Sequence, residues 1–175
     1  MHVFTNGDEA ELFANDVSQG RKRLATGEYR FRWDDVVYQP GEVRVATYKN
    51  GTAWATQSVK TTGAAASLRL TPDRKEIAAD GLDLSFVTLE IVDADGDVVR
   101  TANDAISFAV EGPGEIVATD NGFQADFVPF ASTARKAFNG LALAVVRAKK
   151  GGKGGIKVTA TADGLEVGSA VVTAK

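Results

Sequence analysis

Apolar and polar residues alternate in short runs along nearly the whole chain, and turn formers separate the runs. In "EYRFRW", Tyr29, Phe31 and Trp33 alternate with Arg30 and Arg32, which predicts a half-buried strand with one aromatic and one cationic face. "EVRVATYKNGTAWATQSV" sets Asn50-Gly51 between two alternating runs, and this pair readily takes the two positive φ angles of a tight hairpin turn. Further strands are expected in "SLRLTPD", "LSFVTLEIVD", "AISFAVEG", "GEIVAT", "GLALAVVRA", "GIKVTATADG" and "LEVGSAVVTA". No segment sustains a helical period, so the fold class is all-β.

Small residues interrupt the pattern in "KTTGAAASL", Lys60 to Leu68, and place a domain boundary near Gly63. Residues 1–62 read as a small β-sandwich module. Residues 63–175 carry seven strand runs with frequent turns, as in an immunoglobulin-like sandwich; their grammar also resembles the bacterial, invasin-type immunoglobulin-like repeats. "FNGLALAVVR" puts Leu141, Leu143 and Val145 on one face and Ala142, Ala144 and Val146 on the other, the pattern of a central strand covered on both sides. Val3 and Phe4 already read as strand behind only Met1 and His2, so the chain is expected to be a piece of a longer protein.

An apolar fraction of 44% over 175 residues suits globular cores. The 20 basic and 23 acidic residues are mixed along the chain, and a net charge of -3 gives no footprint for nucleic acid or an anionic membrane surface. There is no cysteine, which excludes disulfides and thiolate chemistry. No apolar run reaches the length of a membrane span, and "MHVFTNGD" lacks the features of an export signal.

The acids Asp8, Glu9 and Glu11 invite an acid/base reading. Glu9 and Glu11 would share a strand face about 7 Å apart, a spacing glycosidase carboxylates use. Such acids must flank a sugar from opposing walls, however, and neighbours on one strand point the same way; the solvated-face reading is favoured, with Asp8 in a turn. "DADGD" holds Asp93, Asp95 and Asp97 as calcium candidates, but a closing glutamate and flanking helices are missing, and an Asp-Gly turn explains the same residues. "KKGGKGG", Lys149 to Gly155, lacks the ending of a phosphate cradle and is expected to be a flexible loop. Trp33 is assigned to the core, whereas Trp54 is either core or a sugar platform. The only histidine is His2, so no Ser-His-Asp relay or histidine metal site can be assembled, and no catalytic residue is assigned.

Two groups of phrases carry a resemblance. "VFTNGDEAELFANDVSQGRK" and "YRFRWDDVVYQPGEVRVATYKNGTAWATQSVKTTG" resemble the small β module that follows the catalytic barrel in many glycoside hydrolase family 2 β-galactosidases. "LRLTPDRKEIAADGLDLSFVTLEIVDADGDVV", "FAVEGPGEIVATDNG" and "RKAFNGLALAVVR" resemble the immunoglobulin-like module at the C-terminus of the same enzymes. The chain departs from that pattern after Asp120-Asn121-Gly122, where "FQADFVPF" replaces the family's usual Asp-Pro-Thr-Ser.

The resemblance implies a retaining β-galactosidase as parent, with its two catalytic glutamates in an upstream (β/α)8 barrel of the same polypeptide. It also implies no cofactor in these modules, and export to a bacterial periplasm or cell surface. These modules would brace the barrel, shape substrate access or set the oligomer. One alternative is a carbohydrate-binding module contacting oligosaccharide through Trp54, Phe123 and Phe127. Another is an adhesin-like surface stalk, suggested by the invasin-type grammar of the second module.

Overall fold

The computed structural model describes all residues from Met1 to Lys175, in an all-β arrangement without a helix. No helix is therefore long and apolar enough to cross a membrane. The chain divides into two compact units, Met1–Thr61 and Thr62–Lys175.

The first unit contains β1 (His2–Val3), β2 (Glu9–Ala14), β3 (Val17–Arg23), β4 (Phe31–Arg32), β5 (Glu42–Lys49) and β6 (Thr52–Lys60). Four of these form an antiparallel sheet in the order β3-β2-β5-β6, while β1 and β4 form a separate ribbon. Alternation along β2 buries Ala10 and Leu12, which meet Phe31 and Trp33 in a core edged by Val3, Leu24, Val36, Val43 and Val45. The Trp33 indole N–H donates to the Gly20 carbonyl at 3.2 Å, so the largest core side chain leaves no buried donor unpaired.

The Asn50-Gly51 hairpin joins β5 to β6 with φ of 51° and 78°, as the sequence predicts. A second tight turn, Asn15-Asp16 with φ of 48° and 62°, joins β2 to β3. Asn15 also clamps the neighbouring chain: its amide donates to the Pro40 carbonyl at 3.1 Å, and its side-chain oxygen accepts the Glu42 N–H at 2.8 Å. The strand expected over "EYRFRW" is shorter than its pattern. Only Phe31 and Arg32 pair, because their partner β1 is two residues long, and Tyr29 is 70% exposed instead of joining the aromatic face.

The second unit contains β7 (Ser67–Pro72), β8 (Glu76–Ile77), β9 (Leu84–Val92), β10 (Ala105–Glu111), β11 (Gly114–Asp120), β12 (Ala134–Lys136), β13 (Leu141–Ala148), β14 (Gly154–Thr161) and β15 (Gly168–Ala174). One sheet runs β11-β13-β9-β7 and the other β12-β10-β14-β15-β8. Their buried residues form one core, to which Val87, Leu89 and Ile91 of β9 contribute from the first sheet and Ile106, Phe108, Ile156, Val158 and Val172 from the second. The strand β13 is interior to its sheet, and its buried face is Ala142, Ala144, Val146 and Ala148, while Leu141, Leu143 and Val145 are half-buried. At Gly168 a side chain would meet the Leu68 carbonyl at 2.4 Å, so glycine allows this close approach of backbones.

The seven strand runs of this unit all appear, with the last beginning only at Gly168; the short β8 and β12 are additional. The Lys149 to Gly155 segment differs from the flexible loop expected. Lys149 and Gly151 donate backbone N–H groups to the carbonyls of Pro113 and Ala79 at 2.9 and 2.8 Å, which pins the turn on both sides.

Candidate functional site

The acids Asp8, Glu9 and Glu11 are all engaged by neighbouring groups. Glu9 and Glu11 share a face of β2, as expected, but each already has a partner. Glu9 forms an ion pair with Arg21 at 2.7 Å, and the Arg21 guanidinium lies 3.5 Å from the centre of the Tyr48 ring. Glu11 accepts the Ser18 hydroxyl at 2.6 Å. Asp8 accepts the Asn50 N–H at 3.0 Å and so braces the hairpin turn. Glu9 and Glu11 point the same way from one strand face, whereas glycosidase acids flank a scissile bond from opposing walls.

The "DADGD" segment is a turn built around one carboxylate. Asp93 is 5% exposed and accepts the backbone N–H groups of Gly63 at 2.7 Å, Asp97 at 2.9 Å and Asp95 at 3.1 Å. The Gly63 bond, followed by the Asp97 bond, holds its carboxyl below the usual value. Asp95 and Asp97 are exposed, so the three acids do not converge on a common point.

Trp54 lies on the edge strand β6 and is half exposed. Its indole N–H donates to Asn6 at 2.7 Å and the Lys49 ammonium lies 4.9 Å from its ring, so part of this platform is already engaged. Phe123 stacks on Phe138 at 4.8 Å between ring centroids, while Phe127 is 95% exposed.

Phe127 belongs to the most distinctive surface feature, the segment 121–132 that follows β11. It displays Phe127, Val128 and Phe130 to solvent, yet its backbone is fixed from below by Arg135. Alternation along the short strand β12 turns Arg135 inward, where its side chain is 1% exposed. The guanidinium donates to Asp126 at 2.7 Å, to the carbonyls of Val128 and Pro129 at 3.0 and 3.1 Å, and to the Thr119 hydroxyl at 3.1 Å. Asn121 adds a bond to Asp126 at 2.8 Å, and the Thr119 N–H donates to the Phe130 carbonyl at 2.7 Å. A planar fork with fixed donors suits such a convergent set of acceptors, and the result is a preorganised apolar tip.

Sequence reasoning marked the segment as divergent and named Phe123 and Phe127, but missed Arg135, Thr119, Asn121 and Asp126. Arginine in a three-residue strand looks like an ordinary surface residue, and its partners come from β11 and from the loop that follows it. Only the pairing of a divergent loop with a nearby arginine could have signalled it.

The carboxyls of Asp80, Asp83, Asp93 and Asp126 are all held below the ordinary aspartate value by hydrogen bonds that favour the ionised form. For Asp126 the Val128 N–H at 2.9 Å acts first, and the Arg135 contact adds to it against the cost of desolvation. With folded-state values below the unfolded value of about 3.9, the stability these groups confer is complete above that pH and is lost as pH falls through the lowered values. The urea midpoint of the second unit is expected to fall on acidification below about pH 4. An Asp126→Asn variant should show a smaller acid-induced fall, and a midpoint unchanged down to about pH 2 would contradict this assignment.

Comparison with known proteins connects both units to one kind of enzyme. The model for "Glycoside hydrolase family 2 C-terminal domain 5" matches residues 68–171, and a second family, "Domain of unknown function (DUF4982)", matches residues 1–55. The chain is 40% identical over 162 residues to the β-galactosidase BoGH2A of Bacteroides ovatus, covering 93% of this chain and 19% of that protein. A glycosyl hydrolase family 2 member from Bacteroides cellulosilyticus superimposes with a TM-score of 0.94 at 34% identity, covering 98% of this chain and 24% of that one. A β-glycosidase from Bacteroides vulgatus superimposes with a TM-score of 0.91 at 27% identity, over 98% and 22% of the two chains. The chain thus spans about a fifth of the curated β-galactosidase it matches. With more than half of its residues matched by one family model, the chain belongs to the glycoside hydrolase family 2 C-terminal domain 5 family.

Proposed function

We propose that the chain is the non-catalytic C-terminal region of a family 2 glycosidase that hydrolyses terminal β-galactosides, and that it braces an upstream barrel and shapes access to it. The observation that carries this reading is coverage: nearly the whole chain aligns with a β-galactosidase while accounting for only 19% of it. The site chemistry agrees, because the paired acids Glu9 and Glu11 are engaged by Arg21 and Ser18. The isolated 175-residue chain is accordingly expected to be inert toward nitrophenyl-β-galactoside. Export to a bacterial periplasm or cell surface belongs to the same proposal, since it follows from the kind of parent enzyme inferred.

The exposed tip of the second unit supports a second reading, in which Phe127 and its neighbours contact saccharide. Aromatic side chains fixed on a rigid loop offer their faces to the apolar side of a sugar ring at little entropic cost. Calorimetric titration with galacto-oligosaccharide tests it: binding should weaken about tenfold or more in Phe127→Ala, and an unchanged affinity would remove Phe127 from the contact. Trp54 is tested separately by fluorescence, because both tryptophans of the chain, Trp33 and Trp54, lie in the first unit.

A further inference from the structure

Lys22, Arg23 and residues 27–32 of the first unit line an open cleft of about 480 Å³, and of these only Phe31 belongs to the core. Lys22, Arg23, Arg30 and Arg32 line it, against a single carboxylate, Glu28. The field of Arg32 is partly offset by Asp34, its ion-pair partner at 2.9 Å, and Glu9 faces Arg23 across the strand ladder while pairing with Arg21. Lys22 is held by the Arg32 carbonyl at 2.6 Å and lies 5.3 Å from the Trp33 ring. Arg23 and Arg30 form no ion pair. The Arg30 guanidinium lies 5.4 Å from the centre of the exposed Tyr29 ring, which steadies its donors without consuming them.

From this arrangement we infer that the Lys22–Arg32 cleft is a binding site for an anionic saccharide unit, one bearing a carboxylate or a sulfate ester. A concentration of like charge in a small concavity with unspent guanidinium donors attracts anions and raises their local concentration. Guanidinium forks match the paired oxygens of carboxylates and the tetrahedral oxygens of sulfate, and do so more strongly than neutral donors. The volume suits a ligand of one or two sugar rings, and Tyr29 at the rim adds an aromatic surface for a ring face. The anionic requirement follows from the cleft alone. That the anion is carried by a saccharide rests on the glycosidase reading above.

The test uses the full 175-residue chain, isotopically labelled, titrated with galacturonate, galactose 6-sulfate and unmodified galactose while amide shifts are recorded. Saturable shifts at Tyr29, Arg30 and Arg32 are expected with at least one of the two anionic sugars and not with galactose; the tighter of the two identifies the group recognised. Affinity should fall about tenfold in Arg23→Ala/Arg30→Ala and weaken as salt is raised. An Arg30→Lys variant should recover part of the loss, since it restores charge without the fork. Both substituted side chains are outside the core, and one-dimensional spectra check that the variants fold. Equal responses to galactose and the charged sugars, no saturable shift with either anion, or an affinity unchanged in the double variant would overturn the inference. Because the readout is binding, its failure leaves the catalytic inertness of the chain untouched.

Discussion

A Trp33→Ala variant is expected to abolish the cooperative unfolding transition of residues 1–61. Trp33 is 3% exposed and is the largest of only four buried side chains in its core. Truncating a buried tryptophan costs about 4 kcal/mol, and a unit of this size holds a total stability of about 3–5 kcal/mol. The loss therefore matches the whole stability of the unit. It also removes the indole N–H that donates to the Gly20 carbonyl. Trp54 remains as the only indole, so its fluorescence reads this unit selectively. Emission resembling the urea-unfolded chain is expected already without denaturant. A cooperative transition at the wild-type midpoint would show that Phe31 and the surrounding valines suffice, and would refute the assignment of Trp33 as keystone.

Arg135→Ala is expected to have the second largest effect, and its location is as informative as its size. The substitution leaves Asp126, two backbone carbonyls and the Thr119 hydroxyl without their shared donor. Removing one member of such a buried pair costs about 3 kcal/mol. Arg147 provides the internal comparison. It pairs with Glu115 at a similar 2.7 Å, but its side chain is 38% exposed, and its truncation should cost less than about 1 kcal/mol. Hydrogen exchange should report lost protection across residues 121–132 in Arg135→Ala while β9 and β13 stay protected. Uniform loss of protection would mean that Arg135 supports the sandwich as a whole. Retained protection of 121–132 would mean that the loop is fixed by its own turns.

Strands with strict alternation and a partner of comparable length were legible in the sequence. The pattern of β9 and β13 is set by burial against one core, and local composition reports it directly. The Asn50-Gly51 turn was equally clear, since few residue pairs take two positive φ angles. Asn15-Asp16 takes similar angles, but without glycine it carries a weaker signal. Tyr29 shows the limit of alternation: it continues the period of Phe31 and Trp33, yet no partner strand extends far enough to hold it. The two-residue β8 is similarly silent, because its parallel pairing with β15 is a long-range event.

The functional surfaces were less legible, for related physical reasons. Arg135 acquires its meaning only when β12 turns it inward beneath a loop that ends a few residues earlier. The cationic cleft was legible only in part: alternation put Arg30 and Arg32 on one face, but neither it nor a net charge of -3 says that Lys22 and Arg23 join them. Glu9 and Glu11 illustrate the converse. Their side-by-side placement on one strand face was readable, and the structure adds the partners that occupy them, Arg21 and Ser18.

The central claim, that this chain contributes architecture to a glycosidase and no catalytic group, is tested most directly by turnover. The purified 175-residue chain should release nitrophenol from nitrophenyl-β-galactoside no faster than buffer, and Glu9→Gln and Glu11→Gln should change nothing. Saturable hydrolysis by the chain, abolished by either substitution, would contradict the claim and return those two carboxylates to the role their spacing first suggested.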